Sequence, residues 1–476
     1  MKRVILTVTI LLISLISLDA RDIRGSVKTT RGKALAGVVV SDGLNTAVTD
    51  KKGNFTIDTD KDSRFVFIST PAGYRSSTLP GAHPERLFYQ ELQDGTDTYD
   101  FVVERKAKDD TNHNLIVIAD PQISERGELP ELAENASSIT SYIKESDGDD
   151  TFGIVLGDIV GWDHTIYPEY NEIMAETGID YRYVMGNHDM TNYVGSHEES
   201  LTKYQDTYGP AWYSFNAGKV HYIVLDDNFF IGRDWYYIGY VDGRQLEWMR
   251  NDLSHVEEGT TVILSLHIPT TLTEEDRKTF SYGMISELVS NKKELYSMLA
   301  PYNAMILSGH MHFGNNQVIN DRLMELNVSS LGGAWYSGPV CIDGSPAGFK
   351  AMEINGDDIS WTYIGCGHPA EYQMKVYEDP EGYEGYILAN IWDYDPAWKV
   401  EYFEDGKRIG EMENFSGYDP LARKLYNGSG DLKQKWVYAS VTHNLFKARK
   451  SPDAKSWMVK VTDRFGRVYT ADSATE

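Results

Sequence analysis

Asp120, Asp158, Asn187, His188, Asp189, His267, His310 and His312 share one local setting: each stands at or near the end of a run of apolar residues. The runs are NLIVIAD to Asp120, FGIVLGD to Asp158, YRYVMGNHD to Asp189, VILSLH to His267 and AMILSGHMH to His312. A single Asp after a strand is usually a turn or helix cap, and an isolated His is more often packed or surface-exposed than a ligand. Five such clusters closing five apolar runs are a different matter, because chance seldom sets so many donors at equivalent places. The donors are oxygen and nitrogen with no thiolate, which suits Mn, Fe, Zn or Mg rather than a structural Cys-type zinc centre. Their number exceeds what one ion needs. Two ions roughly 3.5 to 4 Å apart would share them, with one carboxylate between, and a hydroxide held by both could attack phosphorus in line.

Bringing these donors together is the work of strands. Continuous Val/Ile/Leu runs predict strands buried on both faces, and a sixth run, VHYIVLDD, ends at Asp227. Helix-like stretches lie between several of them, as in GRQLEWMRNDL, where Leu246, Met249 and Leu253 fall at helical spacing. Strands alternating with helices predict a layered α/β domain with its site at the carboxyl edge of the sheet. On either side the texture changes. From Ile23 to about Val103, segments such as GKALAGVVVSDG and TDKKGNFTIDTD alternate apolar and polar residues between Asp/Gly turns, predicting a small β-sandwich. After about Gly365, aromatic-rich segments such as WKVEYFEDGKRIG and SWMVKVTDRFGRVYT, with turns at Asp405-Gly406 and Phe465-Gly466, predict a second one. The predicted division is a leader over 1–20, a β-domain over 21–108, the α/β domain over 112–364 and a β-domain over 365–476.

Asp-x-Gln, Gly-Asp, Gly-Asn-His-Asp, His and Gly-His-x-His, in that order, resemble the calcineurin-like metallophosphoesterase family over about Asn114 to Thr362. The resemblance implies a central β-sandwich flanked by helices, and two divalent metal ions. It implies that Asp120, Gln122, Asp158 and His312 hold the first ion. Asp158, Asn187, His267 and His310 would hold the second, with Asp158 as the bridge. His188 would protonate the leaving oxygen or steady the transition state. Gln122 stands where the family usually has His, and a neutral amide oxygen is a weaker donor for zinc, so the first site is expected to be looser or to prefer a harder ion. Gly161 stands where many relatives carry a further carboxylate. The N-terminal stretch is similar to carboxypeptidase-regulatory or transthyretin-like β-domains. Both ends resemble the β-domains that accompany this phosphoesterase type in exported bacterial proteins.

Loops beyond the strands should set specificity. Three stand out: Trp162-Asp163-His164, Asn192 to His197, and the segment from Gly332 that holds Trp335 and Tyr336. Trp335 and Tyr336 either form an aromatic wall for a sugar, nucleobase or lipid headgroup or pack against the C-terminal domain. Tyr208-Gly209-Pro210 and Tyr213-Ser214-Phe215 read as packing, and His221 and His255 as structural or surface residues.

Met1 to Ala20, with Lys2 and Arg3 ahead of the apolar Val4 to Leu18, reads as a secretory signal peptide. No Cys lies near its end to take a lipid, so the expectation is an exported protein, periplasmic or extracellular, without a membrane anchor. The 476 residues, 41% hydrophobic and 24% charged, exclude a disordered chain. A net charge of −26 opposes nucleic acid and anionic membranes as partners. Cys341 and Cys366 could pair in an oxidising compartment. The expected function is hydrolysis of a phosphomonoester or phosphodiester, on a small molecule or headgroup. Two alternatives stand beside it. One is a nucleotide pyrophosphatase or other phosphoanhydride hydrolase, with the same metals and a different pocket. The other is an exported binding protein on a decayed scaffold, against which the near-complete ligand set argues.

Overall fold

Eleven strands and four helices carry the centre of the molecule. A computed structural model describes them, together with the rest of residues 21–81, 83–146, 150–279, 281–427 and 432–474. The signal-peptide reading of Met1 to Ala20 lies outside the described residues. In chain order the strands are β1 (Asn112–Ile118), β2 (Asp150–Val155), β3 (Tyr181–Tyr183), β4 (Tyr213–Ala217), β5 (Val220–Val224) and β6 (Thr261–Ser265). They continue with β7 (Asn303–Ser308), β8 (Asn315–Asn320), β9 (Leu323–Asn327), β10 (Gly348–Asn355) and β11 (Asp358–Gly365). The helices are α1 (Leu129–Glu145), α2 (Tyr167–Ala175), α3 (Gly243–Leu253) and α4 (Lys292–Leu299).

The strands form two sheets. The first has the order β3-β2-β1-β10-β11, with β1, β2 and β3 parallel and the last two antiparallel. The second has the order β4-β5-β6-β7-β9-β8, with β5, β6, β7 and β9 parallel and an antiparallel strand at each edge. Side chains alternate across a strand, so an unbroken apolar run needs cover on both faces. In β1, Leu115 and Val117 pack with residues of the second sheet, while Ile116 and Ile118 pack with α1 and α2. α1 presents Leu132, Ala136 and Ile139 to that outer face, the i, i+4, i+7 spacing of a helix stripe. The result is a layered α/β fold, a sandwich of two sheets with helices outside.

α3 departs from the expected stripe. Trp248, Met249 and Leu253 are buried, while Leu246 is only half-buried. The N-terminal domain packs here and widens the covered face: Trp248 Nε1 donates to Ser41 Oγ at 3.0 Å, and its ring lies 6.3 Å from that of Phe67. Asp242 caps the helix by accepting from the Arg244 and Gln245 amides.

Each terminal region is a pair of four-stranded sheets. The first pair is built around Arg21–Thr29 and Phe65–Ile68, the second around Tyr386–Ile391 and Trp457–Thr462. Asp405 (φ 47°) and Gly406 (φ 77°) are both left-handed, as a two-residue hairpin turn requires between Lys399–Glu404 and Lys407–Glu411. Cys341 and Cys366 are free thiols. No helix among the described residues is long and apolar enough to cross a membrane.

Candidate metal centre

The parallel strands of both sheets end at one place. Asp120 follows β1 by two residues, Asp158 follows β2 by three and Asn187 follows β3 by four; His267 follows β6 by two, and His310 and His312 follow β7 by two and four. The turns that carry them are tight. Asp120, Gln122, Asp158, His310 and His312 have φ of 48°, 40°, 50°, 71° and 55°. Left-handed backbone at a non-glycine residue costs about 1–3 kcal/mol and persists where the surroundings enforce it, commonly at functional sites. The glycines before the donors are equally constrained. A Cβ at Gly157 would lie 2.6 Å from His267 Nδ1, at Gly186 2.1 Å from the Asp158 amide nitrogen, and at Gly309 2.8 Å from Asp120 Oδ2.

Hydrogen bonds from outside fix how the imidazoles face. His267 Nδ1 lies 2.7 Å from the Leu156 carbonyl, which can only accept, so Nε2 is left without a proton in the neutral ring. That nitrogen lies 3.0 Å from Asn187 Oδ1, 3.4 Å from Asp158 Oδ1 and 3.1 Å from His310 Nδ1. His312 Nδ1 likewise faces the Gly333 carbonyl at 3.1 Å, turning Nε2 toward Asp120 Oδ1 at 3.8 Å. His310 Nε2 lies 3.5 Å from Glu287 Oε2, leaving Nδ1 inward. Outer acceptors that take one ring nitrogen and leave the other free are the usual setting of metal-bound histidine.

The carboxylates are held by backbone. Asp120 accepts from the His310 amide at 3.0 and 2.9 Å, and Asp158 Oδ1 accepts from the His188 amide at 2.8 Å. Gln122 Nε2 donates to Asp158 Oδ2 at 3.1 Å, and its buried Oε1 has no hydrogen-bond partner. Asp120 and Asp158 are 0% and 2% exposed, and among the described residues their ion pairs are with imidazoles alone. Burial pushes the Asp120 carboxyl well above its ordinary range. Burial also opposes ionisation of Asp158, yet the His267 and His188 imidazoles outweigh it and hold that carboxyl low. Against burial, Asp158 and Asp120 raise His267 to about 10. Two buried carboxylates and an unpartnered amide oxygen with no Lys or Arg partner call for positive charge, and divalent cations fit them. Donor atoms of Asp158, His267 and His310 all lie within 4.8 Å of one another.

Three family models match the chain. The model described as the N terminal of calcineurin-like phosphoesterase covers residues 21–106, calcineurin-like phosphoesterase itself covers 113–314, and the C terminal of calcineurin-like phosphoesterase covers 325–469. The chain belongs to the calcineurin-like phosphoesterases. It is a metal-dependent phosphoric ester hydrolase with the family's companion regions at both ends. Among solved structures, a dimetal phosphatase from Danio rerio is 15% identical over 53% of this chain and 96% of its own, with a TM-score of 0.38. Purple acid phosphatase PPD1 from yellow lupin is 14% identical over 70% and 67%, at 0.39. The 5'-nucleotidase from Candida albicans is 15% identical over 54% and 52%, at 0.34. Among curated proteins none matches.

The phosphoesterase supports its site with acids that hold the donors in place from behind. Asp189 accepts from the Gly186 and Ile159 amides and from the Tyr167 hydroxyl, tying the third motif to the second. Asp227 accepts from the His267 and Ile268 amides at 3.2 and 2.9 Å; its signal was the sixth apolar run, which ends on it. Glu287 follows no strand, and the sequence offers no signal for it. At Gly161 a Cβ would lie 2.2 Å from Ser124 Oγ, so a side chain there requires Ser124 to move.

Two tryptophans back the histidines. Trp162 (φ 79°) lies over His188 at 4.1 Å between ring centres, and Trp335 (φ 52°) stacks on His312 at 3.8 Å. Trp436, from the C-terminal domain, meets Trp335 at 4.6 Å and is 55% exposed. Tyr336 corrects the expectation of a paired wall. It is buried, and its hydroxyl donates to the Pro121 carbonyl at 2.6 Å, so it packs beneath the first motif. Of the Asn192 to His197 loop, Tyr193 is exposed while His197 turns inward to within 3.6 Å of Asp226. His221 is buried and lies 2.8 Å from Asp252 Oδ2, and the exposed ring of His255 lies 3.0 Å from Thr46 Oγ1. Tyr208, Tyr213 and Phe215 are buried.

Proposed function

We propose that this phosphoesterase is an exported enzyme that binds two divalent ions and hydrolyses a phosphomonoester or phosphodiester of a small molecule or headgroup. The observation that carries the reading is the convergence of three imidazole nitrogens, two buried carboxylates and two amide side chains, with the outer nitrogens of His267 and His312 facing backbone carbonyls and that of His310 facing Glu287 at 3.5 Å. Asp120, Gln122 and His312 would hold one ion, Asn187, His267 and His310 the other, and Asp158 would serve both. When bound, the ions would neutralise phosphate oxygens and acidify water.

The protein's own groups do the rest. The His188 amide orients Asp158, while the His188 ring, 3.9 Å from Asp158 Oδ2 and packed at a tilt against Trp162, stands free to donate to the leaving oxygen. Trp335 and Trp436 form a wall for the group that the phosphate esterifies. Export rests on Lys2 and Arg3 ahead of the apolar Val4 to Leu18.

Chelation followed by re-addition of single divalent ions, assayed on monoesters, diesters and pyrophosphates, tests the reading. Ester hydrolysis should vanish and return with the ion. Full activity in metal-free enzyme, or cleavage of pyrophosphates alone, would overturn it.

A further inference from the structure

Arg182, at the middle of β3, is a buried cation on which the exposed Asp180 acts only at longer range. It is 9% exposed, and among the described residues no carboxylate lies within ion-pair distance. Its guanidinium sits between the rings of Phe88 and Phe215, 5.0 and 4.8 Å from their centres. Nη2 donates to Ser76 Oγ at 3.1 Å, and Nη1 has no hydrogen-bond partner. Two aromatic faces attract a cation, yet they leave its N–H groups unmet, and a buried unpaired charge is strongly disfavoured.

Arg182 lines a cavity of 230 Å³ at the seam between the N-terminal β-domain and the catalytic domain. Arg75, Ser76 and Lys106 contribute from one side, Thr151 and Asn216 from the other. Of the two acids at its wall, Asp150 is paired with Lys106 at 2.5 Å and Asp180 is exposed. Asp150 opens β2 and Asp180 precedes β3, so the cavity lies at the amino ends of these strands, opposite the metal centre.

We infer that this seam cavity is a binding site for a small tetrahedral oxyanion of the inorganic phosphate type, with Arg182 as its principal ligand. With the Phe88 and Phe215 rings packed on the guanidinium, a polar partner must approach where they leave it open, and there the planar fork can meet two oxygens at once. Ser76 Oγ, which lies 2.6 Å from Thr70 Oγ1, and Asn216, whose amide nitrogen donates to Ser69 Oγ at 3.2 Å, hold the walls around it. With one wall from each domain, the bound anion clamps the seam. Arg182 also stands five residues before Asn187, so the clamp holds the strand that feeds the third motif.

Tungstate, a tetrahedral oxyanion visible by anomalous scattering, tests this on crystals of the metal-loaded full chain. A peak within hydrogen-bonding distance of the Arg182 guanidinium is expected in the wild type. In Arg182→Lys, which keeps the charge and loses the fork, its occupancy should fall by about ten-fold with any peak at the metal centre unchanged. Water alone in the seam of the wild type overturns the inference, and so does an undiminished peak in the variant. In solution, inorganic sulfate at fixed ionic strength should raise the wild-type unfolding temperature saturably. That reading needs no variant to fold, and a shift that fails to saturate counts against the site.

Discussion

Burial lowers the His188 imidazole to about 4, so the ring is neutral at rest and serves first as a hydrogen-bond donor. To act as an acid it must gain a proton as an anionic phosphate arrives beside it. Either way its help matters most when the leaving oxygen is a poor one, for which such aid is worth typically 10²- to 10⁴-fold. His188→Ala should keep the metals and the fold, yet slow alkyl phosphates far more than p-nitrophenyl phosphate. An equal loss on both substrates would assign the ring to electrostatic support or packing. Gln122 allows a second test. Its amide nitrogen is spent on Asp158 and its oxygen has no partner, which leaves one neutral donor for the ion. Gln122→His should tighten that site and shift its preference toward zinc, measured by competition between zinc and manganese. Unchanged selectivity would place Gln122 outside the metal shell.

The turns after the strands are where the fold makes the chemistry. Gly186 passes so close to Asp158 that an added Cβ would lie 2.3 Å from Oδ1. Gly186→Ala should therefore displace the shared carboxylate and cost on the order of 10²-fold in kcat, the usual penalty for misplacing a reacting group by about 1 Å. Retention of wild-type kcat would show that the turn can yield. These turns were legible in the sequence because an apolar run, a glycine and a donor are adjacent in the chain, and strand burial follows from local pattern. What was not legible depends on distant neighbours. Glu287 meets His310 only through tertiary folding, and the buried stripe of α3 shifts to Trp248 because the N-terminal domain covers it. Tyr336 and Trp335 are adjacent in sequence, but the left-handed backbone at both sends one ring into the core and the other against His312.

Across the whole molecule, the C-terminal domain is tied to the catalytic one by charge, buried on both sides at Lys350 and Asp393 and on the Glu128 side alone at Lys433. Lys350 of β10 is 1% exposed and reaches Asp393 at 2.5 Å and Asn316 at 3.2 Å, while Lys433 reaches Glu128 at 2.5 Å beside Trp436. Removing one partner of a buried pair strands the other, so Lys350→Ala should cost about 3–5 kcal/mol in denaturant unfolding. A loss under about 1 kcal/mol, typical of an exposed pair, would mean the seam is wet. The two flanking domains thereby frame a centre whose claim is simple: two ions, one shared carboxylate. Elemental analysis of the purified full chain, run beside hydrolysis of a phosphate ester, tests it most directly. The account predicts two divalent ions per chain in the wild type, one in His312→Ala, and loss of both ions and of hydrolysis in Asp158→Asn. A wild-type chain that turns over with one ion or none, or Asp158→Asn that keeps both ions, would contradict it.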